Sequence, residues 1–118
     1  MVSPTKKARD IANTSISELM CEYMKDNVYS ALTLKDVCNH FMLGKTQVCK
    51  IFRESIGQSP MEYYMELKIK EAKKLIREKA YSVSQISDML GYSGIHNFSR
   101  AFKKNIGMSP TAYANSIS

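Results

Sequence analysis

The run PMEYYMELKIKEAKKLIREK (Pro60–Lys79) decides how the rest of the chain is read, because near-copies of one pattern stand on either side of it. It begins with a strong helix start. Ser59 is a capping side chain, Pro60 suits the first helical position, and Glu62 can reach back to complete a capping box. Met65, Ile69, Ala72 and Ile76 then recur at helical spacing and predict one buried face, widened by Tyr64, Leu67 and Leu75. Glu66, Lys70, Lys73, Lys74 and Arg77 fall outside that stripe. A helix of about 20 residues measures roughly 30 Å, so whatever it joins is held apart by that length.

Upstream, Ile16, Leu19, Met20, Tyr23 and Met24 predict an amphipathic helix ending near Asn27. Residues 1–14, polar and basic through Lys6, Lys7 and Arg9, read as a flexible arm or the remnant of a linker. Thr33-Leu34-Lys35-Asp36 starts a short helix with Val37, Cys38 and Phe41 inward, which Leu43-Gly44 breaks. Lys45 to Ile56 resumes as a helix with Val48, Ile51 and Phe52 inward, closed by Gly57. Downstream, Ser82-Val83-Ser84-Gln85 is a second capping-box start, with Val83, Ile86 and Leu90 inward and Gly91 as the stop. Ser93 is placed to cap a helix carrying Ile95, Phe98, Ala101 and Phe102, which Gly107 ends. Ser109-Pro110 opens a last short helix with Ala112 and Tyr113. No strand-length alternation of β-branched residues occurs, so the expected fold is all-α, with about seven helices.

The plan repeats residue by residue. Lys50, Phe52, Arg53, Ile56, Gly57, Ser59-Pro60 and Tyr63 return fifty positions later as Arg100, Phe102, Lys103, Ile106, Gly107, Ser109-Pro110 and Tyr113. Leu34, Val37 and Phe41 return at an offset of 49 as Val83, Ile86 and Leu90, so the turn of the second copy has gained one residue. Two copies fall short of a solenoid and fit a duplicated recognition unit. The expected division is residues 15–58 and 81–118 as the two units, joined by a linker helix over 59–80.

Composition narrows the function. The chain has 118 residues, with 17 Lys+Arg against 11 Asp+Glu, a net charge of +6 that favours an anionic partner. No apolar run is long enough for a membrane span and residues 1–15 do not resemble a signal peptide, so a cytoplasmic protein is expected. Cys21, Cys38 and Cys49 are odd in number and lack metal-type spacing, and read as reduced small hydrophobes. The eight methionines read as fillers of a small core, and His40 as a surface residue. Neither the histidines nor the cysteines offer the paired spacing that catalysis needs, so no enzyme, metal or cofactor is expected.

Each copy has a short helix, a break and a second helix with basic residues outside, which is the plan of a helix-turn-helix. The plain alternative is a helical hairpin with a solvated basic face. Gly91-Tyr92-Ser93, Phe98-Ser99-Arg100-Ala101-Phe102-Lys103-Lys104, Gly107-Met108-Ser109-Pro110 and Tyr113 resemble the signature of the AraC/XylS transcription regulators. Lys68, Ala72, Leu75 and Ile76 are similar to that family's linker helix. The chain departs from the family pattern at Cys38 and Ser87, where alanine is preferred, and at Asn97, where an aromatic is frequent. Cys49 and Lys50 replace a usual serine and arginine, and Lys68 a commoner arginine. The resemblance implies two helix-turn-helix subdomains that bind double-stranded DNA as part of a transcription regulator. It also implies RNA polymerase as a partner and, as in many family members, an effector-binding or dimerisation domain absent from this chain. The polar stretch before Ser15 would suit a cut linker, so a C-terminal piece of a larger regulator is expected rather than a full-length chain.

Helical geometry assigns the faces. In the first copy Lys45, Thr46, Gln47, Cys49, Lys50 and Arg53 lie outside the core; in the second, Ile95, His96, Asn97, Ser99, Arg100, Lys103 and Lys104. Arg100 can bond guanine O6 and N7 together, Asn97 and Gln47 suit adenine, Thr46 suits the thymine methyl, and His96 suits a base edge or a phosphate. Lys45, Arg53, Lys103 and Lys104 suit phosphates. The helix starts at Thr33, Ser59, Ser82 and Ser109 suit either phosphates or plain capping. Because the two faces differ, a non-palindromic operator of two unlike elements is expected. The competing class is a helical protein-interaction module without specific DNA readout.

Overall fold

In the computed structural model, which describes residues 4–117 with side chains from 15 to 117, the chain runs through α1 (Pro4–Asp26), α2 (Leu34–Phe41), α3 (Lys45–Ile56), α4 (Pro60–Glu78), α5 (Val83–Met89), α6 (Ile95–Ile106) and α7 (Pro110–Ser116). No strand occurs among the described residues. Two units form, one from Met1–Asp26 and Leu32–Tyr63, the other from Asn27–Ala31 and Tyr64–Ser118. The boundary thus falls inside α4 rather than at its ends, and residues 27–31 belong with the second unit.

In the first unit, α1 starts at Pro4, so much of the stretch expected to be a loose arm is helical. Pro4 fixes a helical φ at the first position, and no glycine or second proline follows to stop the helix. The side chains of Lys6, Lys7 and Arg9 lie outside the described residues. Both α1 and α2 pack on α3, burying Met20, Met24, Val37, Val48 and Phe52 completely. Each such side chain contributes about 1.5–3 kcal/mol of burial. The buried face of α1 runs through Ser17, Met20, Cys21 and Met24, while Leu19, expected inside, is 54% exposed. Tyr23 instead stacks on His40 at 3.9 Å.

Thr33 and Asp36 close a reciprocal capping box on α2, with Asp36 N–H donating to Thr33 Oγ1 at 3.2 Å and Thr33 N–H to Asp36 Oδ2 at 2.8 Å. The bond from the Thr33 backbone, then that from its hydroxyl, holds the Asp36 carboxyl below its usual range. The break after α2 comes one residue earlier than expected: Met42, at φ 55, makes the left-handed turn, and Gly44 caps α3 at an ordinary φ of −75.

The second unit has its core where α4, α5 and α6 meet, around Ile69, Ala72, Leu75, Ile76, Ile86, Leu90, Phe98 and Phe102. Met65, expected in the buried stripe, is 36% exposed, and Lys68, one turn on, is 94% buried by the same measure (6% exposed). Three carbonyls explain the exchange: Lys68 Nζ donates to Val28 O at 2.9 Å and also to Ser30 O and Leu90 O. The ammonium sits 4.7 Å from the Tyr64 ring centroid and 5.7 Å from that of Tyr92, within cation–π range. Burial lowers its pKa to about 8, while the carbonyls and rings favour the charged form. Tyr64 adds its hydroxyl, 2.7 Å from the carbonyl oxygens of both Asn27 and Ser30. The 27–31 segment is therefore held to the second unit through its backbone.

The repeat is physical as well as textual. Phe52 meets Tyr63 at 5.4 Å and 59°, and Phe102 meets Tyr113 at 5.6 Å and 60°. Pro60 and Pro110 are both fully buried, and Gly57 and Gly107 both turn left-handed, at φ 89 and 95.

Candidate nucleic-acid interface

Phe98 and Phe102 anchor α6 in the core, which turns the opposite face outward at every third or fourth residue. His96, Asn97, Arg100, Lys103 and Lys104 are exposed on it, and Arg100 stands farthest round from the buried side. On α3 the anchors Val48, Ile51 and Phe52 do the same for Thr46, Gln47, Lys50 and Arg53, with Lys45 exposed at the first turn. Ile95 is 39% exposed. Cys49 and Ser99, equivalent positions of the two copies, are only half-buried and sit at the edge of each face rather than on it.

The starts of the two outward helices differ from the other helix starts. Thr33, Ser59, Ser82 and Ser109 all act as side-chain caps, Ser59 and Ser82 each within a reciprocal box. Gly44 and Gly94, which precede α3 and α6, carry no side chain and leave the first-turn N–H groups uncapped by one. Ser93, expected to cap α6, has another use: its Oγ accepts a hydrogen bond from Asn97 Nδ2. The signal was a serine and an asparagine four residues apart, which share one side of a helical turn. Glu54 was also passed over. It is exposed on α3 where Lys104 stands on α6, so the two copies carry opposite charge at that point.

Lysine and arginine side chains at such positions are suited to phosphates, exposed amides offer the donor–acceptor pair that adenine takes, and the Arg100 guanidinium offers the two donors that guanine O6 and N7 take. Among the described residues no cluster of three or more His, Cys, Asp or Glu converges as a metal site, and no helix is long and apolar enough to cross a membrane.

A model of the helix-turn-helix domain family matches residues 37–116. The chain is 29% identical over 107 residues to the raffinose operon transcriptional regulatory protein RafR of Pediococcus pentosaceus, a match covering 91% of this chain and 39% of that protein. Its fold resembles the C-terminal domain of AraT, a response regulator from Geobacillus stearothermophilus, at a TM-score of 0.82 and 24% identity, covering 86% of this chain and 84% of the other. It also resembles the DNA-binding domain of the global transcriptional factor AdpA in complex with a target DNA, at a TM-score of 0.80 and 16% identity, covering 85% and 90%. At these identities the structural likeness is one of fold. The chain spans well under half the length of the curated relatives it matches first.

Proposed function

Because the chain belongs to the AraC-type helix-turn-helix family of transcription-regulator DNA-binding domains, we propose that it reads double-stranded DNA with both copies, α3 and α6 entering successive major-groove segments. The observation that carries this reading is the matched exposure of two helix faces fifty residues apart. Thr46, Gln47, Lys50 and Arg53 occupy on α3 the places of His96, Asn97, Arg100 and Lys103 on α6. Solvation alone calls for polar side chains there, but not for four Lys or Arg and no carboxylate among the eight positions. Arg100, Asn97, His96, Thr46, Gln47 and Lys50 touch bases; Lys45, Arg53, Lys103 and Lys104 meet phosphates. Cys49, Ser99 and Ile95 border the contact.

RNA polymerase is the proposed protein partner and the cytoplasm the proposed location, with effector binding assigned to a domain outside this chain. RafR, an operon regulatory protein of which this chain matches 39%, supports that division. Fluorescence anisotropy on a selected duplex tests the reading. If about six to ten phosphates are neutralised, affinity falls roughly 10³- to 10⁵-fold between 50 and 200 mM salt. A flat dependence would promote the protein-interaction reading instead.

A further inference from the structure

We propose that Ser93 is a positioning residue that fixes how Asn97 is presented to a base pair, giving the second copy a pre-oriented amide that the first copy lacks. The inference rests on α6 being a helix that reads bases.

Asn97 is exposed, next to His96 and one turn before Arg100 on the outward face of α6. Its Nδ2 donates to the Oγ of Ser93, four residues back. Ser93 is exposed and lies just outside the helix, and the cap position belongs to Gly94, so this hydroxyl is free of the usual capping duty. An asparagine amide carries two N–H protons and one carbonyl oxygen. When the proton held by Ser93 is the one pointing away from Oδ1, the second proton lies on the Oδ1 side, and the two remain as a donor beside an acceptor. That pair matches the N7 acceptor and N6 amine of adenine. Ser93 therefore spends no group that adenine needs, and it removes the rotation that an exposed amide would otherwise lose on binding. Ordering one such side chain beforehand is worth about 2- to 12-fold in affinity.

The first copy makes the contrast. Fifty residues earlier stand Leu43 and Gln47. Leu43 has no polar side-chain atom, so Gln47, longer by one rotatable bond, has no counterpart of the Ser93 anchor. The adenine-type contact of α6 is accordingly the sharper of the two.

The test measures binding of the full chain and of Ser93→Ala, Ser93→Thr, Asn97→Ala, Arg100→Ala and the Ser93→Ala/Asn97→Ala pair. The probes are a selected duplex, its single-base-pair variants and an unrelated duplex, with thermal melting of each variant protein as the folding control. Ser93→Ala is expected to weaken the preference at one base pair by about 2- to 12-fold, at the same pair where Asn97→Ala removes it. Affinity for the unrelated duplex stays unchanged, Ser93→Thr keeps the preference because it keeps the hydroxyl, and the double variant adds nothing beyond Asn97→Ala. A Ser93→Ala protein that keeps the preference Asn97→Ala loses would overturn the proposal. So would an equal loss on every duplex, which is the mark of a merely structural serine. If neither Asn97→Ala nor Arg100→Ala alters any base preference, the reading helix itself is misassigned and the proposed function fails with it.

Discussion

Met42 and Gly91 hold the same place in the two helix-turn-helix copies, at the end of the first helix, and both take the left-handed backbone, at φ 55 and 78. Their surroundings differ. Met42 is 90% exposed, with open solvent over it. A Cβ built on Gly91 would lie 2.7 Å from the carbonyl carbon and oxygen of Ser30 and 3.0 Å from the Ala31 nitrogen. The turn is dictated in both copies by helix geometry, but only in the second is it covered by another stretch of chain. There glycine is required by space as well as by φ. The first copy tolerates methionine because the left-handed conformation alone costs only about 1–2 kcal/mol.

The largest expected effect breaks that asymmetry directly. Gly91→Ala combines left-handed strain of about 1–2 kcal/mol with a forced backbone shift of about 1–3 kcal/mol, a loss of about 2–5 kcal/mol in urea denaturation. Met42→Gly should change stability by less than about 1 kcal/mol, since relieved strain offsets the more mobile unfolded chain. Equal losses in the two variants would show that the covering 27–31 segment is not what distinguishes the turns.

Next comes the cation beneath that segment. Lys68 is the one charged residue among the buried described side chains. Lys68→Met leaves the Val28 and Leu90 carbonyls without this donor and the Ser30 carbonyl with the Tyr64 hydroxyl alone, and should cost about 2–4 kcal/mol. The pH dependence has a definite sign. Between about 8 and 10.5 the folded amine has released a proton that the unfolded one keeps, so this group's contribution to stability rises with pH across that window. Lys68→Arg, which keeps its proton throughout, should flatten the rise. A profile identical to that of the unaltered chain would place the Lys68 titration elsewhere.

These two sites also mark where sequence reasoning stopped. The helices, the offsets of 49 and 50, and the outward faces followed from apolar spacing and caps, because those depend on neighbours within a turn or two. Lys68 was legible only as a match to the family's linker helix and its burial was not, since its partners are backbone carbonyls 22 to 40 residues away and a carbonyl leaves no trace in side-chain identity. Leu19 fitted the helical period of α1 yet faces out, and the period alone does not say how wide the buried stripe is. On the outward faces, the exposed basic and amide residues were legible, while the tie between Ser93 and Asn97 was hidden behind the stronger expectation that serine caps a helix.

Smaller differences concern the outward faces. Arg100→Ala should weaken a specific site by about 1–3 kcal/mol and relax one base pair, whereas Lys104→Ala should weaken every duplex about equally. The smallest expected effect is internal and positive. Ser87 and Cys38 are equivalent positions, and the buried Ser87 Oγ has no hydrogen-bond partner among the described residues. Ser87→Ala should therefore stabilise the chain by about 1 kcal/mol in thermal or urea unfolding, while Cys38→Ala, half-buried and without such a penalty, should not. A Ser87→Ala loss would mean that the hydroxyl is satisfied.

The central claim is that two unlike faces read two unlike elements. Selection of duplexes from a random pool, repeated with Lys50→Ala and with Arg100→Ala, tests it most directly. The account predicts a non-palindromic site in two parts, with Arg100→Ala relaxing one part and Lys50→Ala weakening or relaxing only the other. An inverted repeat, or two variants that loosen the same base pairs, would contradict it.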